Sequence, residues 1–263
     1  MPNAIVNNIN IYYELHGKGQ PLVLIAGYSC DHTFWTGMLD KLSRYFQVLI
    51  FDNRAIGRTK DSGEPFTIET MAEDTVSLVQ HLGLEKPHIV GQSMGGIIAQ
   101  YISKKYPYII HKQIILNSTA KINVAAIMVI EGIIKLFNDN VSLEHIIDVS
   151  IPWFYSSQFL SNPKNITTLK TLFMNNPYPQ SIMDLGRQYH AIKSANTRPF
   201  LHDIKSPTHV IASEHDLVTL PSESYEIKQK IPNATISVIP GGHSSPVEQP
   251  QEVNNEILKF LIK

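Results

Sequence analysis

With 263 residues, 43% hydrophobic and 17% charged, and a formal net charge of −1, the chain has the composition of an ordinary globular protein able to bury one sizeable core. That near-neutral balance gives no electrostatic footing for nucleic acid or for an acidic membrane surface. Cys30 is the single cysteine, which excludes an internal disulfide and the structural zinc sites that need two or more thiolates.

Residues 1–8 carry neither the basic segment nor the apolar run of a signal peptide, so a cytoplasmic location is expected. Residues 4–6 and 9–14 alternate in polarity around Asn7-Asn8, the pattern of a two-stranded hairpin. The run 21–25 is apolar throughout, as a strand buried on both faces requires, and a loop over 26–31 follows it. Helical spacing covers 34–45, and a second buried strand at 47–51 ends in Asp52-Asn53-Arg54. The amphipathic stretch 68–82 reads as a helix closed by Gly83. A strand, a tight turn at Ser93 and a helix come next without a gap, and 111–116 reads as another strand, ending at Asn117-Ser118.

Strands alternating with helices imply a parallel sheet covered on both faces, with ligands bound beyond the carboxyl ends of its strands. Over 121–200 that rhythm disappears. This part holds helical patches, several aromatic residues and five prolines, and is expected to be a helical insertion over the carboxyl edge; the alternative is a set of peripheral helices packed on the core. Its stretch 124–137 is apolar nearly all round, with Glu131 and Lys135 spaced to pair, and is too short to span a bilayer. Such a stretch either roofs an apolar cavity or buries itself on the core. Strands return at 208–212 and 236–239, with helices at 222–230 and 253–262. The expected architecture is an α/β core of eight mostly parallel strands, formed by 1–120 and 201–263, with 121–200 as a helical cap.

The turn Gly91-Gln92-Ser93-Met94-Gly95 fits G-x-S-x-G between a strand and a helix. In so sharp a reversal the serine takes a strained backbone conformation, and a β-carbon at either glycine collides with the strand or the helix. The hydroxyl then stands clear of the sheet at the amino end of a helix, where developing negative charge is favoured. By itself the pattern also fits a serine N-cap in a tight turn. Position relative to the sheet sorts the candidates for a base: of eleven histidines, His243 directly follows the last strand in Pro240-Gly241-Gly242-His243. Asp216 follows the penultimate strand, with Glu214 two residues earlier as the competing acid, and Asn117-Ser118-Thr119 offers no carboxylate. Ser93, Asp216 and His243 thus stand in the chain order that such sheets use for a nucleophile, acid and base. Backbone N–H groups of Met94 and Tyr28 are the expected oxyanion donors.

These residues resemble the α/β-hydrolase fold family. The resemblance covers almost the whole chain outside the cap, and rests on Ala26-Gly27 in place of the usual His-Gly, Asp52-Asn53-Arg54-Ala55-Ile56-Gly57 for Asp-x-Arg-Gly-x-Gly, the Ser93 turn, Asp216, and Gly242-His243 with Glu248 and Pro250 behind it. It implies a serine hydrolase that works through an acyl-enzyme and needs no metal or organic cofactor. Asp52 and Arg54 are expected to pin the Tyr28 loop. Similar dehalogenases and epoxide hydrolases carry aspartate at the turn, so serine there points away from them. The expected substrate is a small-molecule carboxylic ester with a small to medium apolar acyl group, contacted by Gln92, Phe34, Trp153 and Phe154. Lactones, thioesters, carbon–carbon bonds of β-diketone type, cofactor-free peroxidase-like chemistry and a slow-turnover receptor remain as alternatives. The expected partners exclude nucleic acid and stable membrane insertion, and the expected assembly is a monomer or homodimer.

Overall fold

A computed structural model describes residues 2–262. Strands β1 (Asn3–Val6) and β2 (Ile9–His16) form the hairpin, and Asn7 and Asn8 both take positive φ (47° and 60°), as a two-residue hairpin turn demands. Strand β3 (Gln20–Ile25) leads into a 3-10 turn at His32–Trp35 and helix α1 (Thr36–Leu42), and β4 (Phe46–Phe51) into α2 (Ile68–His81). Strand β5 (His88–Gln92) runs into α3 (Met94–Lys105), and β6 (Gln113–Leu116) follows.

Five helices then interrupt the alternation: α4 (Val124–Asn138), α5 (Leu143–Phe154), α6 (Ser157–Leu160), α7 (Pro163–Met174) and α8 (Ile182–Ser194). After a 3-10 turn at Arg198–Asp203 come β7 (Thr208–Ser213), α9 (Pro221–Lys230), β8 (Thr235–Ile239), α10 (Ser245–Glu248) and α11 (Pro250–Leu261). No helix among the described residues is long and apolar enough to cross a membrane.

The eight strands form one sheet in the order β1-β2-β4-β3-β5-β6-β7-β8. β1 and β2 pair antiparallel, β2 runs antiparallel to β4, and every other pairing is parallel. The apolar runs are continuous because both faces are covered. Val23, Ile25 and Ile89 pack with α2 and α3 on one side, while Leu22, Leu24 and Val90 pack with α1 and α11 on the other.

Side-chain caps explain the helical insertion. Asn123, Ser142, Ser156, Asn162 and Ser181 each accept a hydrogen bond from a first-turn N–H of the helix that follows. Helix α4 does both things that its sequence allowed: Ala126 and Ile130 join the main core, whereas Val124 and Met128 face solvent at 71% and 67% exposure. Glu131, spaced to meet Lys135, instead pairs with Lys193 and accepts from the Tyr189 hydroxyl, so it ties α4 to α8.

Several element ends depart from the pattern reading for local reasons. The helix expected over 34–45 splits, because Asp31 accepts from the Thr33 N–H and starts a 3-10 turn before the α-helix begins. Helix α11 starts at Pro250, whose fixed φ and missing N–H suit a first helical position.

Close approach of backbone explains the glycines around Ser93. A β-carbon on Gly91 would lie 2.1 Å from the Gly95 carbonyl oxygen, and one on Gly95 would lie 2.1 Å from that of Ile25. Gly95→Ala is therefore expected to lower the unfolding free energy by about 3 kcal/mol, whereas Gly132→Ala, whose β-carbon meets open space inside α4, should raise it by about 0.5–1 kcal/mol. Urea unfolding of the two variants against the parent checks this; equal stabilities would refute the close-approach account.

Candidate active site

Ser93 is the joint between β5 and α3, held at φ 54° and ψ −118°, which a residue with a β-carbon adopts only when its surroundings impose it. Here they do. Its N–H donates to the Leu116 carbonyl at 3.0 Å, and its own carbonyl accepts from the Gly96 N–H at 2.9 Å and the Ser118 hydroxyl at 2.7 Å.

The loop after β8 brings His243 to this serine, with Nε2 at 2.9 Å from Ser93 Oγ. The other ring nitrogen, Nδ1, lies 2.8 Å from Asp216 Oδ2. Both His243 and Asp216 are buried. Asp216 Oδ1 accepts from the N–H groups of Val218 and Thr219 at 2.8 and 2.9 Å, and Oδ2 also accepts from the Thr219 hydroxyl at 2.9 Å. A carboxyl group so held by donors is fixed in place and fixes the ring beside it. Glu214, the competing acid, is exposed, and the bond to the ring comes from Asp216.

Residues without a motif hold the histidine loop. Asn117, at the end of β6, is fully buried, and its Nδ2 lies 3.0 Å from the His243 carbonyl, 3.3 Å from that of Gly242, and 2.9 Å from the hydroxyls of Ser213 and Ser245. Gln92 adds a bond from Nε2 to the His243 carbonyl at 3.1 Å. Glu248 joins that loop to the helical insertion. One carboxylate oxygen accepts from the N–H groups of Gly242 and Ser156, both at 3.0 Å, and the other from the Ser156 hydroxyl at 2.6 Å. The Ser244 N–H also donates to the Phe154 carbonyl at 2.9 Å.

The loop after β3 lies directly against the serine. A β-carbon on Gly27 would be 3.1 Å from Ser93 Cβ and 2.4 Å from Gln92 Oε1. Among the described residues neither the Tyr28 nor the Met94 N–H has a protein acceptor. The Tyr28 hydroxyl donates to the Leu185 carbonyl on α8 at 3.0 Å, and burial, with Tyr189 adding to it, keeps that phenol protonated. Burial, with Asp31 adding to it, pushes the Cys30 thiol up to about 12.

Asp52 pins this loop from β4: Oδ1 accepts from both the N–H and Nδ1 of His32, at 2.8 and 2.7 Å, and Oδ2 from the Arg58 N–H at 2.8 Å. The Arg54 side chain goes elsewhere, to Asp74 on α2 at 2.5 and 2.9 Å. Its carbonyl reaches the loop through Gln188, which donates to Arg54 at 2.6 Å and accepts from the Ser29 N–H at 3.1 Å. Ala55, where the family pattern has glycine, sits at φ 61°. The one cluster of possible metal ligands among the described residues is Asp31, His32 and Asp52; its carboxylates are occupied by the bonds to His32, Arg58 and Thr33.

A narrow cavity with about 60 Å³ of water-accessible space opens beside Ser93 and His243. Gln92, Phe34 and Phe154 line it, with Tyr28 and Met94. Trp153 does not. It is 37% exposed, because neighbouring helical residues point about 100° apart and Phe154 takes the inward direction. Gln92 borders the cavity, with one N–H of its amide committed to the His243 carbonyl.

Residues 20–250 match the family model described as alpha/beta hydrolase fold. The chain is 26% identical over 257 residues to a candidate carbamate hydrolase, RutD, from Caulobacter, covering 95% of each chain. It is 28% identical over 258 residues to a candidate non-heme bromoperoxidase, BpoC, from Mycobacterium tuberculosis, covering 96% of this chain and 98% of that one. A thermophilic esterase from Thermogutta terrifontis has a solved structure that superposes with a TM-score of 0.85 at 25% identity, covering 97% of this chain and 93% of the other.

The His32–Asp52 contact carries a pH dependence. Burial lowers the His32 pKa, but the hydrogen bond and charge of Asp52, with Asp31 and Glu14, outweigh it and leave the imidazole above its ordinary 6.5. A folded pKa above the unfolded one gives stability that is full below 6.5 and lost as pH rises through the folded value. Urea unfolding at a series of pH values should show that the advantage of the parent over His32→Gln shrinks across that window; an advantage that grows with pH would contradict it.

Proposed function

Because the chain belongs to the α/β-hydrolase fold family, we propose that it is a serine hydrolase acting on carboxylic esters of small to medium apolar acyl groups. The observation that carries the reading is the line from Ser93 Oγ to His243 Nε2 at 2.9 Å and from His243 Nδ1 to Asp216 at 2.8 Å. In this reading His243 takes the Ser93 proton as the hydroxyl attacks the ester carbonyl. The negative charge on the tetrahedral oxygen is taken up by the N–H groups of Met94 and Tyr28, which have no protein acceptor to give up. Asp216 holds the ring with Nε2 free to accept that proton and balances the imidazolium. His243 then protonates the leaving alcohol, and water repeats the cycle to release the acid and restore Ser93.

The helical segment 121–200 acts as a cap over the core formed by 1–120 and 201–263. Its contributions to the cavity include Ile122, Ile130, Phe154 and Ile192. That apolar lining supports an acyl site, and the esterase name of the Thermogutta relative agrees with ester cleavage.

A fluorophosphonate probe tests the reading. It is expected to label the folded parent stoichiometrically at Ser93 and to leave Ser93→Ala unlabelled. On a neutral alkyl ester, Ser93→Ala, His243→Ala and Asp216→Asn should each lose on the order of 10⁴ or more in kcat. Folded parent protein that resists the probe would overturn the assignment.

A further inference from the structure

The wall of the cavity beside Ser93 includes Ile97, Ile122, Ile130, Ile192, Val218 and Phe154. Five of these, the isoleucines and Val218, are themselves buried parts of the main hydrophobic core, so packing prevents them from turning aside for a charged group. Three polar side chains at the rim are already engaged. Thr219 donates to Asp216, Thr119 bonds the Lys121 carbonyl and Glu223, and the Gln92 amide donates to the His243 carbonyl. Among the described residues no lysine or arginine lines the space. Asp216 behind Thr219 and Glu223 behind Thr119 are carboxyl groups and supply no positive charge to hold an anion.

From this wall we infer that the site is selective for charge: it takes esters of uncharged aliphatic carboxylic acids and rejects acyl chains that end in a carboxylate, such as monoesters of dicarboxylic acids. The inference rests on the serine-hydrolase reading of the same site. A carboxylate carried into this space gives up its hydration and finds no cation, and the N–H groups of Tyr28 and Met94 are taken by the reacting ester oxygen, which costs several times more than a missing methylene does. The imidazolium that forms on His243 offers no remedy, because Asp216 already balances it.

The test compares three ethyl esters in a pH-stat assay at neutral pH with the full chain: ethyl pentanoate, monoethyl succinate and ethyl methyl succinate. The expected kcat/KM for monoethyl succinate is about 100-fold below that for ethyl pentanoate, with ethyl methyl succinate, which has the same polar chain without the charge, close to the pentanoate. A pentanoate advantage under about tenfold overturns the inference, as does an ethyl methyl succinate rate as low as that of the monoester; a larger advantage that the methyl ester abolishes supports it. If no ester is cleaved and the fluorophosphonate leaves Ser93 unlabelled, it is the hydrolase reading that fails. Charge selection is then read by thermal shift with pentanamide against succinamate: stabilisation by the neutral amide alone supports the inference, and stabilisation by the anion or by neither overturns it.

Discussion

Ser93 is kept in a conformation that a side-chain-bearing residue resists by about 1–3 kcal/mol, and the surrounding structure is built to hold it there. Strand β6 takes its N–H, helix α3 and Ser118 take its carbonyl, and the glycines at 91 and 95 let strand, helix and the Ile25 backbone close in around it. The sheet contributes by putting the ends of β3, β5, β6, β7 and β8 side by side. Each functional side chain leaves from one of these ends, so residues more than a hundred positions apart meet without long linking loops. The geometry of the site thus follows from the parallel pairing of a few apolar runs.

Beyond the strand ends the backbone ladder holds the loops only in part, through the Glu214 and His215 N–H groups that donate to the Ile239 and Gly241 carbonyls, and other fastenings are needed. Buried polar side chains do that work. Asn117 gathers the loops after β7 and β8, Asp52 clamps the loop after β3, and Glu223 bonds Thr119, Asn123 and the Leu220 N–H, joining β6, the start of the insertion and the acid loop. Because each of these groups would be costly to leave unpaired in a low-dielectric interior, the loops are locked together more firmly than their lack of regular structure suggests.

Much of this was legible in the amino-acid pattern, and for clear reasons. Parallel strands covered on both faces show as unbroken apolar runs, so β3, β5 and β7 stand out. The Ser93 turn shows because the close contacts at its flanks tolerate only glycine, and His243 and Asp216 show because each lies just beyond the carboxyl end of a strand. What was hidden depends on partners far away in the chain. Nothing near Asn117 or Gln188 marks either as a fastening point, since their acceptors lie more than 90 residues away. The inward turn of Phe154 and the outward turn of Trp153 depend on the rotation of α5, which an aromatic pair at adjacent positions does not disclose. Glu131 was placed by local spacing with Lys135, yet α8 supplied a better partner. Ala55 at φ 61° shows that a family position usually given to glycine keeps its left-handed backbone when alanine fills it.

The Glu248 carboxylate has a mechanical meaning. By gripping Gly242 and Ser156 at once, and with Ser244 bonded to Phe154, it ties the loop that carries His243 to the helical segment between β6 and β7. Another helical segment in this place would leave the His243 loop without that tie unless it brought an equivalent of Ser156 to the same grip.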